Sequence, residues 1–288
     1  MIAITGAGGF IGSVLLGYLN KQGLNDIVLF DDLPYGDQYK NLVNKDYVSL
    51  HSAEEMFFNP KGVECVIHLG ANASTLERDW SSLYKSNVLS TRNWNKFCTQ
   101  NDIPFIFASS AAVYGNGNGP LNHYAFSKQQ SENEINGVVL RLFNVYGPNE
   151  YHKGRMASTI YHWYNQIQDT GTIKLFEDSA KYRRDFVYVE DVANVIHYFI
   201  ANYQPGVYDV GTAESIDFDK LANIVIDACG KGTKEFIPMP DDLKAQYQLE
   251  TRADHTALYK AGYNTDLFYE PWQGVHEYVK YLKTTQIY

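Results

Sequence analysis

Cysteine is scarce in this chain of 288 residues: Cys65, Cys98 and Cys229 stand far apart, with no CxxC pair. An odd, scattered set excludes a disulfide framework and fits a reducing compartment with inert thiols. Basic residues are also in the minority, 24 Lys and Arg against 33 Asp and Glu, for a net charge of −9. With no Lys/Arg-rich stripe, no nucleic acid partner is expected, and an anionic small ligand would need a locally gathered set of cations. Long apolar runs are missing too, so no membrane partner or span is expected. The first strand pattern begins at Met1. That leaves no basic region for an export signal, and the cytoplasm is the expected location. Internal repeats, low-complexity linkers and long charge runs are absent from the sequence. What is plentiful is apolar and aromatic, 45% hydrophobic with 23 Tyr. A chain of this length and composition can bury a full core, as one large domain or a major domain with an appendage.

Strand and helix patterns alternate through the first half. Strand-like runs cover 1–5, 27–31, 47–50, 63–69, 104–110 and 138–143, with helical stretches near 81–100 and 123–135 and a Gly/Asn turn at 115–119. The alternation predicts an α/β fold, a Rossmann-type doubly wound parallel sheet that binds ligands beyond the carboxyl ends of its strands. The second half is less regular. Helices are expected over 156–168, over 217–229 with Asp217 as N-cap, and from Pro271 onward. Short strands are expected at 173–176, 207–210 and 236–239, and 185–201 runs from a strand into a helix.

The opening MIAITGAGGFIGSVLL sets Gly6, Gly9 and Gly12 between a β-branched run and Phe10, Ile11, Val14 and Leu15 at helical spacing. Glycine lets the turn take positive φ and lets a ligand approach where a Cβ would block it. The helix then aims its unpaired N–H groups at the gap, a site for phosphate. A plain strand–turn–helix connection reads the same way, and a glycine triplet alone does not choose between the two. Asp31 ends the second strand about 20 residues after the glycines, where a carboxylate accepts hydrogen bonds from an adenosine ribose, and Asp32 follows it. An acidic loop start is the alternative. No Lys or Arg stands between Asp31 and Lys40, so no local cation awaits a 2′-phosphate and the residues lean to NAD over NADP.

Ser109-Ser110-Ala111-Ala112-Val113-Tyr114-Gly115 closes the fifth strand, and Tyr124 and Lys128 follow on one helix face. An adjacent ammonium and a positive nicotinamide would bring the Tyr124 phenol down towards neutrality. It would then exchange a proton with a substrate hydroxyl held by Ser110. Among 23 Tyr, about one Tyr-x-x-x-Lys pair arises by chance; its place after a Ser-Ser strand end singles this one out.

Together GAGGFIG, SSAAVYG, YAFSK and Asn144-Val145-Tyr146-Gly147-Pro148 resemble the extended short-chain dehydrogenase/reductase family, the nucleotide-sugar epimerases and dehydratases. Within it, YHKGRMAS (151–158), KLFE (174–177), RDFVYV (184–189), QYQ (246–248) and RADHTALYKAGY (252–263) are similar to the ADP-L-glycero-D-manno-heptose 6-epimerases. The resemblance spans nearly the whole chain. It implies one tightly bound NADP or NAD per subunit, no metal, a nucleotide-diphosphate sugar as substrate and a homo-oligomer. The implied reaction is oxidation at C6 of a heptose to a ketone, rotation of the carbonyl group, and hydride return to the opposite face. Tyr124 would serve one face and Lys153 the other, with Ser110 and Lys128 completing the catalytic set. Without the resemblance, Lys153 reads as an exposed loop lysine.

By the same resemblance Gly6, Gly9, Phe10, Ile11, Gly12, Asp31, Asp32, Leu69, Gly70, Ala71, Asn72, Asn87, Tyr124, Lys128, Val145 and Lys153 would meet the cofactor. Ser110, Asn144, Arg155, His162, Phe176, Glu177, Arg184 and Tyr247 would meet the sugar nucleotide. Arg184 has its own physical reason, since a diphosphate takes a fork-like cation; a salt bridge to a neighbouring acid is the alternative. Residues 1–150, with part of 184–212, are the expected dinucleotide-binding domain, and 151–288 the smaller substrate-binding lobe. The chain departs from the family pattern in three ways. Pro34 and Gln38 stand where lysines are usual, Arg155 stands where the HKG segment continues with Ser, and 115–122 and 31–63 are shortened. Ala111-Ala112 occupy the place where dehydratases carry a carboxylate, which speaks against elimination. Another nucleotide-sugar 4-epimerase or 4,6-dehydratase, and a dinucleotide-sensing regulator that kept the fold, remain open at this stage.

Overall fold

The computed structural model describes residues 1–53, 55, 62–240 and 248–284. Its centre is a seven-stranded sheet built from β1 (Ile2–Thr5), β2 (Ile27–Phe30), β3 (Ser49–His51), β4 (Cys65–His68), β5 (Phe105–Ser110), β6 (Val138–Leu142) and β11 (Gly206–Val210). Every residue of β1, β2 and β4 is buried, as continuous apolar runs must be when helices cover both faces of a parallel sheet. All neighbours pair in parallel, in the order β11-β6-β5-β4-β1-β2-β3. The strand order reverses between β1 and β4. That switch point opens a crevice beyond their carboxyl ends, where such sheets bind ligands.

One face is covered by α1 (Phe10–Lys21) and α6 (Val189–Ala201). Their Leu15, Leu16, Leu19, Val192, Val195, Ile196 and Phe199 pack on Ile4, Leu29, Ile67 and Leu140. On the other face α3 (Ser90–Asn101) sets Trp94 and Cys98 against Phe30, Phe105 and Phe107. It continues α2 (Trp80–Leu83) through a π-helical turn at Tyr84–Leu89. Next comes α4 (His123–Glu132).

Beyond β6 the chain adds short pairs rather than a second large sheet. β7 (Val145–Tyr146) pairs with β10 (Val187–Tyr188), β8 (Thr172–Phe176) with β13 (Thr233–Ile237), and β9 (Arg183–Asp185) with β12 (Ser215–Asp217). Helices α5 (Thr159–Thr170), α7 (Phe218–Cys229), α8 (Thr256–Lys260) and α9 (Pro271–Thr284) complete this region. Ile160, Trp163, Phe186, Leu221, Val275 and Tyr278 form its core, and Phe10, the first residue of α1, joins them. Among the described residues no helix is long and apolar enough to cross a membrane.

Several boundaries shift from the sequence reading for identifiable reasons. α5 starts at Thr159 rather than 156, because the Ser158 hydroxyl accepts the Tyr161 N–H as N-cap. Asp217 caps α7 as expected, accepting the Lys220 N–H at 2.8 Å. β3 begins at Ser49, two residues late; it is a sheet edge, and the apolar Val48 before it is 63% exposed. β13 spans 233–237 rather than 236–239, fixed by its register on β8.

Candidate active site

The glycine turn joins β1 to α1 at the switch point. Gly6 has φ +67°, and a Cβ there would come within 2.6 Å of the Gly70 backbone nitrogen. A Cβ on Gly12 would collide with the Gly6 carbonyl oxygen. These two glycines thus let the turn, the helix and the turn after β4 pack together. Gly9 differs: its Cβ would meet only the Gly6 oxygen, at 3.1 Å, with open space beyond. Gly9 is also the N-cap of α1. No side chain caps this helix and no acidic residue lies in its first turn, so its free N–H groups and positive dipole end face the opening. A helix start of this kind can cradle an anion, and a side chain at Gly9 would fill the cradle. Ile11 lies partly buried on the same helix turn.

Asp31 closes the cradle's far end. Its carboxylate accepts the Gly8 N–H at 2.9 Å and the Leu33 N–H at 2.8 Å. Burial pushes its pKa up, and these backbone hydrogen bonds pull it back. Asp32 turns away to the exit of β3, accepting the Ser52 hydroxyl at 2.6 Å and the Ala53 N–H at 2.9 Å. Lys40, the first cation after Asp31, pairs with Asp37 at 3.2 Å.

After β4, Leu69-Gly70-Ala71-Asn72 lines the other side of the crevice. Gly70 donates its N–H to the Thr5 hydroxyl at 3.1 Å. Asn87, buried in the π-helical turn, accepts the Asn72 N–H at 2.8 Å and donates to the Asn72 carbonyl at 3.0 Å and to the Ser127 hydroxyl at 2.9 Å. Its amide is spent within the protein, so Asn87 holds the turn against α4 and has no donor left for a ligand.

α4 carries Tyr124 and Lys128 to the end of β5. Asn122 caps its first turn, accepting the Ala125 N–H at 2.9 Å. The Tyr124 phenol hydrogen bonds to Ser110, whose hydroxyl also accepts the Ala112 N–H at 3.1 Å. Lys128 is buried, donates to the Ala108 carbonyl at 2.8 Å and lies 4.9 Å from the Phe107 ring centre. Burial pushes its ammonium down to about 8. The sequence reading has this ammonium, together with a bound positive nicotinamide, lowering the Tyr124 phenol. The protein's own groups give the opposite balance: burial raises the phenol and the Ser110 hydrogen bond only partly offsets it.

Lys153 sits in the 3-10 segment Tyr151–Met156. It is not an exposed loop lysine: it is partly buried, with Nζ 5.1 Å from the centre of the Phe10 ring, at the mouth of the glycine turn. Burial lowers its pKa, and the carboxylate of Glu150 opposes this; Arg155, two residues on, is exposed. Glu150 is itself anchored by the Ser158 N–H at 2.5 Å and the Ser158 hydroxyl at 2.6 Å.

The residues matched to the sugar nucleotide are more dispersed. Asn144 donates to the Asp185 carbonyl at 2.9 Å, and Val145 follows it, partly exposed. Arg184 is buried, with its guanidinium 5.9 Å from the Phe218 ring and donating to the Arg183 carbonyl at 2.8 Å. The neighbouring Arg183 pairs with Asp217, at 3.6 Å. His162 lies in the first turn of α5, Phe176 ends β8 and Glu177 follows it, exposed. Tyr247 lies outside the described residues.

Two contributors were missed by the sequence reading. Asn41 is buried and donates to the Gly8 carbonyl at 3.0 Å and the Asn149 carbonyl at 3.4 Å, and lies 3.3 Å from His152 Nδ1. It ties the glycine turn to the segment that leads into Lys153. Glu132 and Arg141 form a half-hidden ion pair under the end of β5, at 2.6 Å. The only prior signal for Glu132 is its spacing of four from Lys128; Asn41 has none.

A glycine turn at an uncapped helix start, an acidic second-strand end and a Ser–Tyr–Lys group beyond the carboxyl ends of the strands are the arrangement of a dinucleotide-binding α/β protein. The chain belongs to the NAD dependent epimerase/dehydratase family, whose profile matches residues 2–211. Solved structures share the whole fold. ADP-L-glycero-D-manno-heptose-6-epimerase of Helicobacter pylori is 24% identical, over 99% of this chain and 96% of that one, with a TM-score of 0.83. UDP-N-acetylglucosamine 4-epimerase of Methanobrevibacter ruminantium M1 is also 24% identical, covering 99% and 98%, with a TM-score of 0.85. The dTDP-glucose 4,6-dehydratase of Bacillus anthracis, in complex with NAD, is 20% identical over 98% and 96%, with a TM-score of 0.82.

Proposed function

We propose that this protein is a nucleotide-sugar epimerase, an isomerase acting on an ADP-glycero-manno-heptose or a closely related sugar nucleotide. A dinucleotide would lie across the Gly9 cradle, with its diphosphate on the α1 N-terminus and its adenosine ribose at Asp31. The half-buried Asp31 carboxylate would repel a 2′-phosphate and the nearest following cation is paired with Asp37, which favours NAD over NADP. Bound there, the dinucleotide supplies the hydride acceptor and donor. Residues 1–150 and part of 184–212 would hold it, and 151–288 would supply most of the sugar-nucleotide side.

The chain's own residues would then move protons. Ser110 holds the reacting hydroxyl, and the Tyr124 phenol, hydrogen bonded to it, exchanges the proton. Lys128 supplies positive charge behind Tyr124 through its seat on Ala108. The observation that carries the reading is Lys153. It is a second desolvated lysine, on a separate element, whose ammonium is held at the mouth of the cradle by Phe10 and whose lowered pKa suits a proton-transfer group. Where only the C6 carbonyl group rotates and the rest of the sugar stays in place, one fixed phenol does not easily reach both faces; Tyr124 would serve one and Lys153 the other. Ala111 and Ala112 continue from Ser110 in a 3-10 turn with no carboxylate for an elimination. By the family resemblance, Arg155 and Arg184 would meet the diphosphate or the sugar rim.

The test is direct. The purified protein is denatured, the released dinucleotide identified, and ADP- and UDP-sugars screened for epimer formation by NMR. ADP-heptose turnover with released NAD is the expected result; elimination products, or no dinucleotide, would overturn the reading.

A further inference from the structure

We propose that Glu132 is a positioning residue for Lys128: it seats the lysine-bearing helix on the ends of two strands and balances the buried ammonium with its charge. The proposal rests on the reading of Lys128 as part of the proton-transfer group. Glu132 lies four residues beyond Lys128 on α4, hence on the same helix face. Its side chain is 8% exposed. One carboxylate oxygen accepts the Ser109 hydroxyl and Arg141 Nε, the latter at 3.1 Å; the other accepts Arg141 Nη2 at 2.6 Å. Ser109 directly precedes Ser110 on β5, and Arg141 is its register partner on β6. One carboxylate therefore fixes the helix of Tyr124 and Lys128 to the strand end that carries Ser110.

The clamp extends sideways. The Arg141 guanidinium lies 4.7 Å from the Tyr114 ring centre, and the Tyr114 hydroxyl donates to Asp209 on β11 at 2.6 Å. Such a bidentate, stacked guanidinium holds its carboxylate in one place.

The charge argument is equally local. Lys128 faces the Ala108 carbonyl and the Phe107 ring from β5, and Tyr124 from its own helix. From β4 it faces His68, which burial between Thr5 and Thr91 keeps neutral, with a pKa near 3. Glu132 is the anion that raises the lysine against the pull of burial, and Arg141 is the cation behind it. Replacing the carboxylate by an amide removes an attraction and uncovers the Arg141 charge. Both changes make Lys128 give up its proton at lower pH.

The experiment is an NMR titration of isotope-labelled lysine side chains in the full-length protein, with the Lys128 signal assigned by Lys128→Arg. Glu132→Gln should lower the Lys128 midpoint by about one pH unit or more, while Glu132→Asp, which keeps the charge, should titrate close to the wild type. Arg141→Gln should move it the other way, and so decides the matter if Glu132→Gln does not fold. A midpoint unmoved by Glu132→Gln, or one that does not rise in Arg141→Gln, overturns the proposal. In the working enzyme the alkaline limb of kcat should follow the midpoint; a limb that stays in place, with turnover merely scaled down, means that Glu132 is structural only and also overturns it. The titration reads Lys128 whether or not any sugar nucleotide turns over. A shifted midpoint in an inactive protein therefore counts against the functional reading and for the Glu132–Lys128 link.

Discussion

Asp191 gives the fold a measurable pH dependence. It lies in the first turn of α6, 2% exposed, accepting the Tyr269 N–H at 3.1 Å. Tyr146, Tyr188, Tyr263 and Tyr269 surround it electrostatically and Glu190 adds a like charge. Burial pushes its carboxyl from the ordinary 3.8 up to about 7. The folded state therefore holds this proton more tightly than the unfolded chain does. Below 3.8 both states are protonated and nothing is lost. As pH rises from there, the unfolded chain releases the proton first, and stability falls until the folded carboxyl ionises near 7. A gap of about three pH units at about 1.4 kcal/mol each is a loss of up to about 4 kcal/mol, complete above pH 7. Asp191→Asn keeps an acceptor for the Tyr269 N–H and removes the ionisation. Urea unfolding at pH 4 to 8 should show the wild type losing several kcal/mol more than the variant across this range. The other buried carboxylates are common to both proteins and cancel in the difference. Parallel stability curves for the two proteins would refute the argument.

Three further outcomes follow from the site. Gly9→Val should fill the cradle at the α1 N-terminus and abolish dinucleotide retention, read by absorbance after denaturing the purified protein; undiminished content would show that no ligand lies there. Gly12→Ala drives a Cβ into the Gly6 carbonyl and should cost about 1–3 kcal/mol by overpacking, visible as a lowered melting temperature. Tyr124→Phe removes the phenolic proton without opening a cavity and should reduce turnover by about 10²-fold or more. Near-normal turnover with unchanged stability would reject Tyr124 as the proton carrier.

The parts of this protein legible in its sequence are those written in local spacing. The alternation of strands and helices, the glycine turn, Asp31 at the end of β2 and the Tyr124–Lys128 pair after Ser110 all fall where periodicity and motif put them. Asp217 does as well, because a cap needs only its own helix. What escaped depends on partners distant in sequence. The two- and three-residue strands β7, β9, β10 and β12 are too short for a period to register, and only pairing creates them. The separate duties of Gly6, Gly9 and Gly12 follow from what each would strike, and Gly70 lies 64 residues beyond Gly6. Asn41 works through Gly8 and Asn149, and Glu132 through Ser109 and Arg141. The upward pull of burial on the Tyr124 phenol escaped for a related reason. Spacing shows that an ammonium is near, but the strength of burial emerges only once β5 and α4 are packed.

Lys153 as the second proton carrier is tested most directly by replacing it. Lys153→Met should cripple epimerisation while leaving dinucleotide content and melting temperature at wild-type levels, because the side chain is replaced by one of similar length at a partly exposed position. Lys153→Arg should fail to rescue turnover, since a guanidinium stays protonated at neutral pH and cannot serve as a base. If the Arg variant turns over as well as the wild type, Lys153 supplies only positive charge to the diphosphate, and a route using Tyr124 alone replaces the two-carrier account.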